Sequence, residues 1–257
     1  MAVETVLVTG ASAGIGRALA ERFAADGAEL VLRARRRDAL DALADELKDR
    51  HGTSCRVIVA DLAEADAPDA LVGALAMAGV AVDVLVNNAG FGAFGPVAGL
   101  DEQRQADMMQ VNVMTLTRLT RLFLPGMIER GRGGVLNVAS TAAFQPGPNM
   151  AVYYATKAYV LSFTEALAEE LAGSGVTATA LCPGFTATEF QAVADLQGVP
   201  LANLPAASAM DVAVTGHRAF RAGKITAIHG LADRLGVLSQ RLAPRAWPRR
   251  MVKRLQS

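Results

Sequence analysis

A short apolar run, Thr5 to Thr9, passes directly into Gly10-Ala-Ser-Ala-Gly14-Ile-Gly16, and this junction constrains the fold more than any other stretch. The run reads as a buried strand. From Arg17 to Ala25, Leu19, Ala20, Phe23 and Ala24 recur at helical spacing, leaving Arg17, Glu21 and Arg22 for solvent. A strand that enters a helix through a glycine-rich turn aims the helix's first amides at a phosphate. Glycine is needed there because a Cβ would block both the tight turn and the close approach of a pyrophosphate. The spacing is G-x-x-x-G-x-G rather than the commoner G-x-G-x-x-G.

Beyond the junction the chain alternates strand and helix. Strands are expected near 5–9, 29–33, 56–60, 82–86, 134–139, 176–182 and 225–228. Helices are expected near 15–26, 37–50, 65–78, 101–130, 152–173 and 207–221. Such alternation implies an α/β protein with a parallel sheet covered by helices on both sides. With 257 residues, 52% of them hydrophobic, the chain can bury a large core. No repeat or Pro/Ser-rich linker divides it, so residues 1–257 are expected to form a single domain.

Composition excludes several roles. Twenty-five basic residues balance 25 acidic ones, which argues against a general nucleic-acid binder. The two cysteines, Cys55 and Cys182, fall on expected strands and read as small buried hydrophobes rather than a disulfide framework. His51, His217 and His229 are scattered without ligand spacing, so no metal site is expected. The longest apolar stretch, Leu71 to Val86, is interrupted by Asp83 and falls short of a membrane span. The first strand begins almost at once, leaving no signal peptide expected, and a cytoplasmic location follows as the default.

The chemistry is signalled by Tyr153 with Lys157 four residues on, preceded by Ser140. Four residues are about one helical turn, so phenol and ammonium share a face. Tyr154 and Tyr159 have Ala158 and Phe163 at that spacing, so only Tyr153 gains a cation. A neighbouring cation favours the phenolate, and lowering a tyrosine by about 3 pKa units requires roughly 4 kcal/mol. Lys157 together with a second cationic group, such as an oxidised nicotinamide, would supply it. Ser140 would hold and polarise a substrate oxygen. A plain surface helix with an extended lysine explains the pair equally well in isolation.

Further elements complete a pattern. Asn87-Asn88-Ala89-Gly90 follows the apolar run Val82 to Val86, at the strand end where ligands gather in open parallel sheets. Asn112 lies in a helical stretch, and Pro183-Gly184 closes the strand at 176–182. Together these residues resemble the short-chain dehydrogenase/reductase family in its compact form, closely over residues 3 to 190 and more loosely beyond. The resemblance implies a Rossmann-like doubly wound sheet and a catalytic tetrad of Asn112, Ser140, Tyr153 and Lys157. It implies cofactor contacts from Gly10, Ser12, Gly14, Ile15, Gly16, Asp61, Leu62, Asn88, Ala89, Gly90, Tyr153, Lys157, Pro183, Gly184 and Thr188. Asp61 and Leu62 would frame the adenine. In reduction Tyr153 would protonate the carbonyl oxygen, and Asn112 would hold a water that continues the proton path from Lys157.

The choice of nicotinamide cofactor falls at the end of the second strand. An acid there would bind the ribose 2′-hydroxyl and repel a 2′-phosphate. The chain reads Arg33-Ala34-Arg35-Arg36-Arg37-Asp38, with Ala34 where the acid would stand. Arg35 offers a forked grip for a 2′-phosphate, so NADP(H) is expected in preference to NAD(H). One departure is Ala13, where NADPH-preferring relatives often carry a basic residue.

Residues 185–210 should form a lid over the substrate. Phe190, Val193, Leu196, Val199, Leu201, Leu204 and Met210 lie in it without an arginine or lysine, pointing to a hydrophobic ketone or alcohol. Phe91, Phe94, Phe144, Met150 and Val152 are candidates for the opposite wall, or for core. The tail, residues 241–257, carries Arg241, Arg245, Arg249, Arg250, Lys253 and Arg254 among Leu242, Trp247, Met251 and Val252. It reads as a solvated tail or subunit contact, with membrane contact as a lesser alternative. By the resemblance, helices 101–130 and 152–173 would pair copies into a homodimer or homotetramer. The leading function is reduction of a ketone to a secondary alcohol, or its reverse. A 3-ketoacyl reductase with a carrier-bound substrate and a non-catalytic dinucleotide sensor are the alternatives, the intact Ser140, Tyr153 and Lys157 speaking against the sensor.

Overall fold

The computed structural model describes residues 3–196, 198–200, 205–242 and 252. Its strands are β1 (Thr5–Thr9), β2 (Glu29–Ala34), β3 (Cys55–Val59), β4 (Val84–Asn87), β5 (Gly133–Val138), β6 (Val176–Cys182), β7 (Thr186–Ala187), β8 (Ala207–Ser208) and β9 (Thr226–Ile228). Seven of them form one sheet in the order β3-β2-β1-β4-β5-β6-β9, with every pairing parallel. The strand order reverses between β1 and β4, which opens a crevice at their C-terminal ends. This is the doubly wound, Rossmann-like arrangement.

Alternation along each strand divides the core into two layers. Val6 and Val8 of β1 and Leu30 and Leu32 of β2 pack against α1 (Gly14–Ala25), α2 (Arg37–His51) and α8 (Ala209–Arg221). Leu7, Val31 and Leu85 face the other way, onto α3 (Ala67–Met77), α5 (Leu116–Arg130) and α6 (Ala151–Glu170). Apolar residues occupy both faces, so the strands read as continuous Val/Leu runs and were legible as such.

The expected single helix over 101–130 is divided. Asp101 caps α4 (Glu102–Met109) by accepting from the Arg104 amide at 2.7 Å. A π-helical turn, Gln110–Thr115, then joins it to α5. One extra residue in that turn shifts the helix face, and π-bulges of this kind mark functional sites. Four elements carry no readable periodicity or hide it: a 3-10 turn (Thr141–Phe144), α7 (Phe190–Val193), the two-residue pair β7–β8, and α9 (Leu231–Leu242). In α9 the regular apolar residues Leu231, Leu235 and Leu238 face outward, inverting the usual signal.

Among the described residues no helix is long and apolar enough to cross a membrane. Cys55 lies on β3 and the buried Cys182 on β6, both as free thiols. Of the expected lid, 197 and 201–204 lie outside the described residues, as does the basic tail except Arg241, Leu242 and Val252.

Arg33 is the anomaly of the core. It sits on β2 between Thr9 and Ile58, fully buried, and its guanidinium nitrogens have no partner among the described residues. Burial pushes its pKa down to about 10 against the opposing attraction of Asp61. A buried cation without hydrogen-bonded partners is costly, and an apolar residue of similar volume removes that cost. Arg33→Met is therefore expected to stabilise the fold by about 1–3 kcal/mol, read as a raised midpoint in urea unfolding. A lowered midpoint would mean that the guanidinium has a compensating partner in solution.

Candidate active site

The glycine turn is built as a cradle. Gly10 and Gly14 hold φ of 64° and 55°, left-handed values that favour glycine. A Cβ on Gly16 would run into the carbonyl oxygen of Gly10 and the amide of Asn88. The residue before α1 is Ala13, whose side chain makes no cap, and the first turn carries no acid. The first amides of a twelve-residue helix thus remain open to an anion at the crevice. The turn fits a dinucleotide pyrophosphate.

The turn is braced from β4. The Thr9 hydroxyl donates to the Val86 carbonyl at 3.1 Å and accepts from the Asn88 and Ala89 amides, both at 3.0 Å. The Asn88 side chain returns two bonds, to the carbonyls of Thr9 (3.0 Å) and Gly10 (3.1 Å). Asn88, an expected cofactor contact, commits its side-chain amide hydrogens to shaping the turn. Asn87 is likewise internal, donating to Thr120 and Asn137.

At the crevice floor α6 carries Tyr153 and Lys157 on one buried face. The Tyr153 and Ser140 hydroxyls are hydrogen-bonded. Ser140 is held in turn by the Ala142 amide, which donates to its Oγ at 3.1 Å. Lys157 Nζ donates to the Val138 carbonyl at 2.7 Å and lies 5.9 Å from the Tyr153 ring centre. The electrostatics correct the expectation from spacing. Burial pushes the Tyr153 phenol above its ordinary value, and the Ser140 hydrogen bond only partly offsets this. Burial also lowers Lys157, to about 8. In the protein alone desolvation is the largest influence on both groups, so the phenol is not acidified.

Asn112 occupies the π-helical turn, essentially buried. Its Oδ1 accepts from the Phe91 amide at 3.1 Å, and its Nδ2 donates to the Phe91 carbonyl (3.0 Å) and to Thr156 Oγ1 (3.1 Å). Both amide hydrogens are therefore taken. The expected water cannot be held by them; this side chain splices the loop after β4 to the catalytic helix. Gly90 lies under both groups: a Cβ there would stand 2.9 Å from Asn112 Oδ1 and 3.6 Å from Lys157 Nζ.

Several expected wall residues converge. Met150, Tyr153, Leu196 and Val199 share a buried cluster, with Phe91, Phe94, Val152 and Phe190 packed against it. Phe190 lies 5.2 Å from the Tyr153 ring, centre to centre. Phe144 belongs instead to a cluster with Val160 and Cys182, Val193 is exposed, and Met210 packs on the α1 side of the sheet. Pro183 accepts from the Thr141 amide, and Thr188 is tied to Phe190 and Gln191 at the start of the lid. Val252 was not anticipated: it is buried in the same cluster as Tyr153.

At the adenosine end, Leu62 is buried and Asp61 accepts from the Ala63 amide at 3.0 Å. Arg35 and Asp61, assigned separate tasks from sequence, lie 3.6 Å apart as an exposed ion pair. Arg36, overlooked within the arginine run, reaches the glycine turn: its Nη2 donates to Ser12 Oγ at 3.2 Å.

Comparison with known proteins agrees with this geometry. The short chain dehydrogenase profile matches residues 4–197. The chain belongs to the short-chain dehydrogenase/reductase family. The Homo sapiens very-long-chain 3-oxoacyl-CoA reductase is 35% identical over 190 residues, 72% of this chain and 60% of that protein. The chain spans about three fifths of the length of such curated relatives. A short-chain dehydrogenase from Sphingobium yanoikuyae, solved with NADPH, superposes with a TM-score of 0.84 at 32% identity, covering 93% of this chain and 94% of that one. The bulky-bulky ketone specific alcohol dehydrogenase from Comamonas testosteroni superposes at 0.80 with 28% identity, covering 94% and 93%. Another solved relative holds NAD. A nicotinamide dinucleotide is thus the family's cofactor here, and the braced turn fits it.

The splice made by Asn112 predicts a stability effect. Asn112→Ala removes the partner of the Phe91 amide and carbonyl and one donor to Thr156 Oγ1, which keeps its bond to the Tyr153 carbonyl, and is expected to destabilise by about 1–3 kcal/mol. Urea unfolding of the variant measures this directly, and a loss below about 0.5 kcal/mol would contradict the splice.

Proposed function

We propose that the protein is an NADP(H)-dependent oxidoreductase that interconverts a hydrophobic secondary alcohol and its ketone. The observation that carries this reading is the buried, hydrogen-bonded Ser140–Tyr153 pair, with Lys157 one turn on, opening onto an apolar cluster. A bound nicotinamide supplies or accepts the hydride. The protein supplies everything else.

Ser140 Oγ holds the substrate oxygen, its direction fixed by the Ala142 amide behind it. Tyr153 keeps its proton at neutral pH because burial disfavours the phenolate, so it enters the reductive direction as a general acid. As the carbonyl oxygen takes that proton, the charge left on the phenol is stabilised by protonated Lys157. Lys157 also offers hydrogens to the nicotinamide ribose. Phe190 and Met150 exclude water from the reacting oxygen and favour an apolar substrate. The backbone of the glycine turn and the open end of α1 hold the pyrophosphate.

Preference for NADP(H) is supported by the arginines that follow β2 and by Ala34 where a carboxylate would repel a 2′-phosphate. Met109, Met114 and Tyr159 are exposed on α4, the π-helical turn and α6. That apolar face supports pairing of copies through these helices, as the family resemblance implies.

A second reading, 3-ketoacyl reduction, gains from Val252. That residue packs in the cluster around Tyr153, and Arg249, Arg250, Lys253 and Arg254 lie within three positions of it in sequence. By sequence, these four cations are the candidates for meeting a carrier's phosphates. If this reading holds, the KM for acetoacetyl-CoA is expected to rise several-fold as salt goes from about 0.05 to 0.3 M, while that for an uncharged keto ester stays level. Equal responses of both substrates would remove it.

The test of the primary reading is oxidation of NADPH with aliphatic, aromatic and steroidal ketones. Tyr153→Phe is expected to lower kcat/KM by about 10²–10⁴-fold while leaving NADPH binding intact. In the wild type, kcat/KM for reduction is expected to fall as pH rises through about 8, where Lys157 loses its proton. Full activity in the phenylalanine variant would overturn the assignment of Tyr153.

A further inference from the structure

Two segments distant in sequence meet beside the glycine turn. Arg36, just before α2, makes a forked contact with Glu189, the residue just before α7 in the lid. Its Nη1 donates to Glu189 Oε1 at 3.0 Å and its Nη2 to Oε2 at 2.8 Å. The same Nη2 reaches Ser12 Oγ at 3.2 Å, which fixes the guanidinium against the turn. A carboxylate and a phosphate monoester present the same pair of anionic oxygens to such a fork. Placed together on one guanidinium they would repel.

We infer that Glu189 and the 2′-phosphate of NADP(H) are rivals for Arg36, so that the ion pair is a latch on the lid that a 2′-phosphate releases and a 2′-hydroxyl does not. The inference rests on the proposed preference for NADP(H), and it adds a residue that sets how strong the preference is. Glu189 is tied into the lid: its carbonyl accepts from the Val193 amide at 3.0 Å, and the next residue, Phe190, packs on Tyr153. Freeing the carboxylate therefore loosens the segment that covers the reacting oxygen. Arg35 plays a different part, since its neighbour is Asp61.

Both partners are about half exposed, so solvent screens the pair and the effect is modest. Glu189→Gln keeps the shape and removes the charge. By calorimetric titration the variant is expected to bind NADPH and 2′,5′-ADP about two- to fivefold more tightly than the wild type. NADH and 5′-AMP should bind as before. In an Arg36→Gln background the gain should vanish. Hydrogen exchange at residues 189–193 should rise on adding 2′,5′-ADP to the wild type, and stay unchanged with 5′-AMP.

Equal changes for phosphorylated and unphosphorylated ligands would overturn the latch, as would weaker NADPH binding by the variant. A wild type that binds NADH better than NADPH would refute the proposed preference. A selective gain for NADPH in Glu189→Gln would still uphold the rivalry in that case, so the two failures are distinguishable.

Discussion

Everything at this site hangs on the joint between β1 and β4. Thr9 and Asn88 exchange hydrogen bonds across the point where the strand order reverses, fixing the separation of the two strand ends. Each such bond contributes on the order of 1 kcal/mol net, but their combined geometric effect is larger. They hold the Gly10 carbonyl where Gly16 must pass with no Cβ to spare. A loosened joint would shift the open end of α1 and the segment after β4, where Gly90 lies close to Asn112 and Lys157, together.

The second governing effect is desolvation. It raises the phenol of Tyr153 and lowers the ammonium of Lys157, pushing both toward neutral forms. A protonated phenol beside a lysine that keeps its charge at neutral pH but holds it less firmly than in water is a poised pair, sensitive to any further cation that arrives. The poise comes from burial by the wall and the lid rather than from pairwise attraction. Residues such as Met150 and Phe190, which have no protons to give, therefore help set the chemistry of one that does.

Sequence revealed the frame of this protein because its strongest signals are local. The Val/Leu runs of β1, β2 and β4, the glycine spacing, and the one-turn separation of Tyr153 and Lys157 need no tertiary information. What stayed hidden depends on distant partners. Asn112 was legible as a site residue, but its bonds to Phe91 and Thr156 follow from a π-helical turn that no periodicity announces. Arg36 looked like one more solvated arginine until Ser12 and Glu189 were placed beside it. The desolvation of Tyr153 was not legible, because spacing reports a neighbour's charge and not the dielectric around it. Val252, far along a basic tail, carried no signal at all.

The small parallel pair of β7 and β8 has a separate consequence. Thr186 sits beside Ala207 and Ala187 beside Ser208, so the intervening chain starts and finishes at one spot on the body of the protein. The ends are joined through the backbone, which is indifferent to the side chains between them. Loop closure cost grows only slowly with length. The stretch between them is thus free to lengthen or shorten during evolution without moving β7 or the start of α8. The length of this segment and the frame of the sheet are written on separable parts of the chain.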